Sequence, residues 1–252
     1  MLNVQDLELR VGARVLMSEV SFRVSNGDKI GLVGRNGAGK TTLLNILSGV
    51  VEPDRGTIRF NGTDVVGMSI NGVARLGLAR TFQNLALFKG MSVLDNIMTG
   101  RNLRMKSNLL MQAIRLGPAE REEIEHRKRV EEIIDFLEIQ PYRKTPVGQL
   151  PYGLQKRVDL GRALALEPQV LLLDEPMAGM NVEEKQDMCR FILDVNDEFG
   201  TTVVLIEHDM GVVMDISDRV VVLDYGKKIG DGTPDEVRRN PEVISAYLGT
   251  GH

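Results

Sequence analysis

The segment that decides the fold is Gly34-Arg35-Asn36-Gly37-Ala38-Gly39-Lys40-Thr41. Two glycines flank four residues and a Lys-Thr pair follows, which is the spacing of a phosphate-binding loop. The segment comes directly after the apolar run 29–33, and the residues 42–47 that follow it have the composition of a helix. A strand, a glycine-rich loop and a helix in this order predict the phosphate-binding unit of an α/β protein.

Each residue type in this segment suits the binding of a nucleotide phosphate chain. Glycines allow consecutive backbone N–H groups of residues 34–39 to converge on phosphate oxygens without interference from a Cβ atom. Lys40 is expected to reach the β- and γ-phosphates, and Thr41 to offer its hydroxyl to Mg²⁺. The N-terminus of the following helix adds a partial positive charge at the same place. We therefore predict a site for ATP and Mg²⁺.

A second stretch supplies the acidic half of such a site. Residues 170–173 are all apolar, as expected for a parallel strand buried on both faces, and Asp174 and Glu175 follow them. Asp174 is predicted to hold Mg²⁺, and Glu175 to polarise the attacking water. A strand that ends in an acidic turn is common by itself, so this prediction depends on the phosphate loop upstream.

Two polar residues near strand ends are further candidates. His208 follows the apolar run 202–206, and ligands of open α/β sheets collect at the carboxyl ends of core strands. A lone histidine is more often structural, but at this position His208 is predicted to donate a hydrogen bond to the γ-phosphate. Gln83 ends a strand-like stretch just before a helical region, and taken alone it would be an ordinary polar loop residue.

The pattern along the whole chain predicts an α/β core with a helical insertion. The first thirty residues alternate apolar and polar around Gly12 and the pair Asn26-Gly27, which predicts half-buried antiparallel strands with a hairpin-type turn. Residues 92–148 have apolar side chains mostly at helical spacing. Strands then return, and residues 220–230 predict two closing strands around the turn Tyr225-Gly226.

Composition limits the classes of function. A net charge of −4 over 252 residues gives no general attraction to nucleic acid or anionic lipid. The single cysteine, Cys189, suits a reducing compartment. We see no signal peptide, and no apolar run approaches the roughly 20 residues of a membrane-spanning helix. We therefore expect a cytoplasmic protein that reaches a membrane only through a partner.

The order of these motifs resembles that of the ABC ATPases along the whole chain. The phosphate loop is followed by Gln83, by the segment Gly148 to Arg157, by Leu-Leu-Leu-Asp-Glu-Pro at 171–176 and by His208. The likeness is closer still to the ATPases of branched-chain amino-acid-type importers. It is carried by residues 78–84 with Leu87-Phe88, residues 175–181 and Tyr247-Leu248-Gly249.

The resemblance implies a P-loop NTPase core with an N-terminal antiparallel β subdomain and an inserted α-helical subdomain. Within a single domain, 1–252, residues 1–85 and 165–252 would form the core and the β subdomain. Residues 86–164 would form the helical subdomain that carries the signature segment. In the family, two ATPase subunits, identical or different, meet head to tail with ATP between the phosphate loop of one and the signature of the other. The helical subdomain and the Gln83 loop relay this closure to integral membrane permease subunits, which work with a solute-binding protein.

The resemblance also assigns roles to particular residues. Catalysis would fall to Glu175, His208 and Gln83, and Mg²⁺ to Thr41, Gln83 and Asp174. Nucleotide contacts would come from the loop residues Gly34, Arg35, Asn36, Gly37, Ala38, Gly39, Lys40, Thr41 and Thr42, from Val11, and from Gly153 toward the partner's ATP.

The chain departs from the family pattern in the signature segment, at Val11, and at Asn181, which replaces the Asp usual in the loop after the catalytic Glu. Pro151-Tyr152-Gly153-Leu154 stands where most ABC ATPases have Ser-Gly-Gly-Gln. Pro151 has neither a hydroxyl nor an N–H to offer a phosphate, so Gly153 is the main remaining donor. Val11 stands where an aromatic residue often stacks on adenine, which predicts a weaker contact with the base.

Three functions are open at this point. The first is an importer ATPase for a branched-chain amino acid or another small organic solute, on the inner face of the cell membrane. The second is a non-transport ABC ATPase that acts on DNA or the ribosome, although such proteins usually carry two nucleotide domains or a long coiled-coil insertion. The third, a phosphoryl-transfer kinase, leaves Gln83, the signature segment and His208 unexplained. Leu85, Leu87 and Phe88 are either ordinary core or a groove for a helix of the permease.

Overall fold

The structure is a computed structural model that describes residues 1–105 and 118–248. The strands are β1 (Leu2–Val11), β2 (Arg14–Val24), β3 (Lys29–Gly34), β4 (Arg55–Phe60), β5 (Thr63–Asp64), β6 (Leu78–Arg80), β7 (Val170–Asp174), β8 (Thr202–Ile206), β9 (Arg219–Asp224) and β10 (Lys227–Gly232). The helices are α1 (Lys40–Leu47), α2 (Ile70–Arg75), α3 (Val93–Thr99), α4 (Pro118–Phe136), α5 (Tyr152–Leu164), α6 (Val182–Phe199), α7 (Met210–Ile216), α8 (Pro234–Arg239) and α9 (Pro241–Leu248), with 3₁₀ turns at Gly100–Leu103, Gln140–Tyr142 and Val147–Gln149. Gly249 of the C-terminal motif and positions 106–117 of the expected helical subdomain lie outside the described residues.

A six-stranded sheet forms the centre of the fold. Its order is β10-β9-β3-β8-β7-β6, and all neighbouring strands are parallel except the antiparallel pair β9 and β10. Every residue of β7 and β8 is buried, which confirms the prediction from their continuous apolar runs. β9 and β10 form the predicted closing hairpin around Tyr225-Gly226.

A second, antiparallel sheet has the order β2-β1-β4-β5. The hairpin of β1 and β2 turns at Gly12, where φ is +61°, and pairs Val11 with Arg14. The prediction of a hairpin turn was therefore right for Gly12 and wrong for Asn26-Gly27, which leads from β2 into β3 of the central sheet. The reason is that β3 is buried along most of its length and pairs with parallel strands on both sides.

The helical part of the chain packs on one face of the central sheet. Buried side chains of α3, α4 and α5, such as Ile97, Ile133 and Val158, belong to one apolar cluster. The same cluster includes Leu171 and Leu173 of β7, so no gap in the core separates the helices from the sheet. The boundaries 86 and 164 of a helical subdomain stay a prediction.

The sheet order brings four motifs to one edge. The strands β3, β8, β7 and β6 are consecutive neighbours and run in the same direction. Their carboxyl ends lead into the phosphate loop, His208, Glu175 and the Gln83 segment, respectively. Residues far apart in sequence therefore meet at this edge.

Candidate nucleotide-binding site

The phosphate loop connects β3 to α1 through a backbone that only glycine adopts easily. Gly39 precedes the first residue of α1 and has a φ of +97°, in the left-handed region. A Cβ atom on Gly34 would lie 2.3 Å from the carbonyl oxygen of Leu223, so the loop also depends on close backbone approach. These constraints explain the two glycines that define the motif.

Lys40 is buried within the loop that it follows. Its Nζ donates hydrogen bonds to the carbonyl oxygens of Gly34 at 2.7 Å and Arg35 at 3.1 Å. Burial lowers the pKa of Lys40, and the charges of Glu175 and Asp174 oppose that effect. A desolvated ammonium held among backbone carbonyls and aimed at a loop of N–H groups is suited to bind phosphate oxygens.

Thr41 and Asp174 meet at the base of the loop. The hydroxyl Oγ1 of Thr41 donates to Oδ1 of Asp174 at 3.3 Å. The other carboxylate oxygen, Oδ2, accepts from Nη2 of Arg80 at 2.8 Å. Asp174 is only 1% exposed, so its charge is balanced by Arg80 rather than by water.

Arg80 is a site residue that sequence reasoning missed. Besides Asp174, its guanidinium donates to Asn45 at 2.7 Å and to Ser48 at 3.0 Å, both near the end of α1. It also lies over the ring of Phe82, 5.0 Å from the centroid. Arg80 stands inside the segment 78–84 that carries the family likeness, but nothing in the sequence says that its partner is Asp174, 94 residues away.

Glu175 is held by two side chains that arrive from neighbouring strands. Nε2 of His208 lies 2.6 Å from Oε1 of Glu175, and Nε2 of Gln83 donates to Oε2 at 2.9 Å. Because an ionised carboxylate only accepts, the imidazole donates from Nε2. The backbone of Glu175 has a φ of +51°, and its N–H donates to Ile206 at the end of β8 at 2.9 Å. Such a backbone conformation is uncommon for a non-glycine residue.

Glu207 stabilises the segments that carry Glu175 and His208. The sequence analysis did not identify it as a site residue. Its buried carboxylate accepts from the backbone N–H of Met177 at 2.9 Å and from that of His208 at 3.3 Å. Burial raises the pKa of Glu207, and these two backbone hydrogen bonds oppose the effect. One carboxylate thus joins the segment after Glu175 to the segment that carries His208.

A cleft of about 340 Å³ opens over these groups. It is lined by Leu16, Asn36, Gly37, Ala38, Gly39, Lys40, Thr41, Thr42, Gln83, Glu175 and His208. Gly34, Arg35 and Asp174 lie behind this lining and contact it through Lys40 and Thr41.

Besides Gly34 and Arg35, the predicted nucleotide-contact residues Val11 and Gly153 also lie outside the cleft lining. Val11 is 63% exposed at the end of β1, whereas Leu16 of β2 borders the phosphate loop. Gly153 lies in the first turn of α5, where an added Cβ would be 2.3 Å from the carboxylate of Glu184. Pro151 is the N-cap of α5 and makes no side-chain cap bond. A role of Gly153 toward a second molecule's nucleotide stays a prediction.

The residues near Asp174 fit a magnesium ion. A threonine hydroxyl, a carboxylate and the amide oxygen of Gln83 are hard oxygen donors, which Mg²⁺ prefers, and the first two already lie 3.3 Å apart. In the part of the chain that the structure describes, no cluster of three His, Cys, Asp or Glu residues could hold a metal by itself. This donor set suits Mg²⁺ that is shared with phosphate oxygens rather than caged by protein.

Comparisons with known proteins agree with this geometry. A family model described as ABC transporter matches residues 17–178, and a model described as branched-chain amino acid ATP-binding cassette transporter matches residues 227–252. The chain is 37% identical over 248 residues to the high-affinity branched-chain amino acid transport ATP-binding protein BraF of Pseudomonas aeruginosa, covering 98% of this chain and 97% of that protein. It is 35% identical over 249 residues to the protein LivG of the same description from Salmonella typhimurium, covering 99% and 98%.

Solved structures give the same result for the fold. A nucleotide-free ATP-binding cassette of an ABC transporter superposes with a TM-score of 0.85 at 27% identity, covering 99% of both chains. An ADP-bound cassette of an ABC transporter superposes with a TM-score of 0.85 at 28% identity, covering 99% of this chain and 98% of that one.

The fold and the cleft define a P-loop nucleotide-binding protein, as the order of motifs predicted. With the family model matched over more than half of its length, the chain belongs to the ATP-binding ATPases of ABC transporters.

Proposed function

We propose that this chain hydrolyses ATP to drive an importer for a branched-chain amino acid or a related small organic solute. The curated relatives at 35–37% identity are named as branched-chain amino acid transport ATP-binding proteins. The family model that matches residues 227–252 has the same solute in its description. These names favour import over the alternative of an ABC ATPase that acts on DNA or the ribosome.

The observation that carries the proposal is the position of Glu175 between Gln83 and His208, beside the phosphate loop. With ATP in the cleft, Lys40 binds β- and γ-phosphate oxygens, and His208 turns its Nε2–H from Glu175 to a γ-phosphate oxygen. An oxygen of Glu175 then accepts the hydrogen bond of the attacking water.

Hydrolysis uses Glu175 as the general base. The carboxylate takes a proton from water as the water oxygen forms its bond to the γ-phosphorus. The bond from that phosphorus to the bridging oxygen of ADP breaks, and the negative charge that develops on ADP lies beside Lys40 and the loop N–H groups. ADP and phosphate are the products.

Magnesium is part of the proposal as well. Thr41 and Asp174 would hold it, and Gln83 would contribute through its amide oxygen. When bound, Mg²⁺ neutralises charge on the β- and γ-phosphate oxygens.

The proposed protein partners are inferred from residues that do not line the cleft. Gly153 would contact the nucleotide of a second ATPase subunit, identical or different, arranged head to tail. Phe88 is 55% exposed and Leu87 packs against the helical core, so Phe88 is the better candidate for contact with a permease helix.

None of the helices within residues 1–105 and 118–248 is long and apolar enough to cross a membrane. Permease subunits would therefore supply the membrane attachment at the inner face, and a solute-binding protein would act through them, with no role for nucleic acid.

Light scattering of the Glu175→Gln variant tests the dimer. Without the base, Mg-ATP persists in any closed dimer, so we expect a shift to twice the monomer mass on adding Mg-ATP. No shift in a variant that binds ATP would contradict a homodimer and require a different ATPase chain as the partner.

Solute uptake tests the transport function. Cells that lack this chain are supplied with the wild type, with Glu175→Gln, or with Lys128→Met as an exposed control on α4, and uptake of radiolabelled leucine, isoleucine and valine is measured. We expect uptake with the wild type and Lys128→Met and background uptake with Glu175→Gln. Equal uptake in all strains would contradict the branched-chain assignment, and a panel of other small organic solutes in the same strains then tests the broader importer assignment.

A further inference from the structure

Helix α5 carries a stripe of three charged side chains that are turned inward. Lys156, Asp159 and Arg162 recur every three residues and so share one face of the helix. Lys156 is 4% exposed and Asp159 is 2% exposed, although charged side chains are rarely buried without a specific partner. The proposed mechanism uses none of the three.

The stripe binds the main chain of the segment that contains Gln83. Nζ of Lys156 donates to the carbonyl oxygen of Gln83 at 3.3 Å. The guanidinium of Arg162 donates to the carbonyl oxygen of Ala86. Asp159 and Arg162 also pair with each other at 2.7 Å. One face of α5 therefore holds residues 82–86 at two points, the carbonyl oxygens of Gln83 and Ala86.

Lys156 makes a second contact, with the backbone of Glu175. Its Nζ donates to the carbonyl oxygen of Glu175 at 3.3 Å. A single ammonium thus links α5 to the two main-chain segments whose side chains, Gln83 and Glu175, bond each other at 2.9 Å. The ring of Tyr152, one turn earlier on α5, lies 5.7 Å from the same nitrogen.

A buried cation in this place is not explained by stability alone. Burial lowers the pKa of Lys156, and the charges of Asp159, Glu207, Glu175 and Asp174 oppose that effect. Replacing a whole buried ion pair with apolar side chains of similar volume is often neutral or stabilising, so the burial of Lys156 beside Asp159 is weak evidence for a role in stability. What Lys156 adds over such a side chain is directional bonding to two carbonyls.

We propose that Lys156 is a positioning residue for ATP hydrolysis. By donating to both carbonyl oxygens, it fixes the distance between the backbone of Gln83 and the backbone of Glu175. When the Gln83 and Glu175 side chains separate to meet ATP and water, Lys156 keeps the two carbonyl oxygens bonded to one side chain of α5, so that the two main-chain segments stay together. The same contact ties the position of Glu175 to α5, the helix that begins at the signature segment. This inference rests on the proposed ATPase mechanism and adds a residue to it.

The test compares Lys156→Met, Lys156→Arg and the exposed control Lys128→Met in the full-length chain. Misplacing a catalytic group by about 1 Å costs roughly 100-fold in rate, so we expect kcat for ATP to fall about 10- to 100-fold in Lys156→Met. The ATP dissociation constant should stay within about threefold, because the phosphate loop is unchanged. Lys156→Arg keeps donors for both carbonyls and should recover part of kcat, whereas Lys128→Met should match the wild type.

Hydrogen–deuterium exchange gives a second readout that needs no turnover. Loss of the two carbonyl contacts should speed exchange of backbone amides in 82–86 and 175–178 about tenfold or more in Lys156→Met, while the amides of β8 keep wild-type protection. If Lys156→Met does not fold, Lys156→Gln takes its place, since its shorter side chain does not span both carbonyls.

The outcomes separate this inference from the proposed function. Wild-type protein that hydrolyses ATP, with unchanged kcat and unchanged exchange in Lys156→Met, overturns only the role of Lys156. A parallel loss of ATP binding and kcat with exchange raised throughout the chain would show a purely structural role and also overturn it. Wild-type protein that binds ATP without hydrolysing it contradicts the proposed catalytic mechanism, and the exchange comparison then decides the positioning role by itself.

Discussion

Nε2 of His208 lies 2.6 Å from Oε1 of Glu175, although the two residues are 33 positions apart in the chain. The contact exists because β8 and β7 are adjacent and parallel, so that the residues just beyond their carboxyl ends meet. Gln83 donates to the other carboxylate oxygen, so each oxygen of Glu175 accepts a hydrogen bond from one neighbouring side chain. In the proposed mechanism, nucleotide binding and activation of the base are linked, because His208 would exchange its bond to Glu175 for one to the γ-phosphate.

Replacement of His208 tests this exchange. In His208→Ala the γ-phosphate loses one hydrogen-bond donor, and we expect kcat to fall about 100- to 1,000-fold, as for other donors to a developing charge. The ATP dissociation constant should change little, because Lys40 and the loop amides are unaffected. Steady-state hydrolysis and equilibrium ATP binding measure the two quantities. An unchanged kcat would show that His208 only supports the structure.

Replacement of Arg80 tests the balance of charge around Asp174. Arg80→Met leaves a buried carboxylate without its partner, which should lower the free energy of unfolding by about 3–5 kcal/mol. The matched control is Arg190→Met, since the pair of Arg190 and Glu138 is about half exposed and its loss should cost at most about 1 kcal/mol. Urea unfolding measures both values.

The same Arg80 comparison in Mg-ATP tests the metal assignment. A divalent cation beside Asp174 supplies positive charge that Arg80→Met lacks, so the stability gap between this variant and the wild type should shrink when Mg-ATP is added. ATP with EDTA is the control for nucleotide alone. A gap of the same size with Mg-ATP, in protein shown to bind it, would contradict the placement of Mg²⁺ near Asp174.

The lowered pKa of Lys40 predicts a pH dependence of ATP binding. Because burial lowers this pKa, Lys40 in the free protein loses its proton at a lower pH than an ordinary lysine. A neutral amine attracts phosphate less, so the ATP dissociation constant should begin to rise at a pH below the pKa of 10.5 of an ordinary lysine, and binding should take up protons there. Lys40→Arg stays charged and should show a flatter profile. Equally steep profiles for the two proteins would contradict the assignment.

The parts of the site that the sequence predicted are those with a fixed spacing inside one segment. The phosphate loop is such a case, since two glycines and Lys40 define both a backbone path and its chemistry. The buried strands β7 and β8 were predictable as well, because their runs are continuously apolar. The motif order then indicated that Asp174, Glu175 and His208 belong to the same site, and the sheet brings them to the same edge.

The contacts that sequence could not predict are between charged side chains and distant segments. Arg80 bonds Asp174, Glu207 bonds the backbone of Met177, and Lys156 bonds two carbonyls, and each contact depends on how separate strands and helices pack. A charged residue in a helix or short strand is usually solvent exposed, so its residue type gives no sign of burial. The prediction of a hairpin turn at Asn26-Gly27 was wrong for a related reason. A turn motif does not indicate which sheet the next strand joins.

The most direct test of the account is ATP hydrolysis by the wild type and by Glu175→Gln in the same assay, together with equilibrium ATP binding by both. Gln keeps the shape of the side chain and one acceptor oxygen, but it does not accept a proton from water. We predict that both proteins bind ATP with dissociation constants within about threefold, and that hydrolysis by Glu175→Gln is slower by about 100-fold or more. Equal rates of hydrolysis, or a wild-type protein that does not bind ATP, would contradict the account.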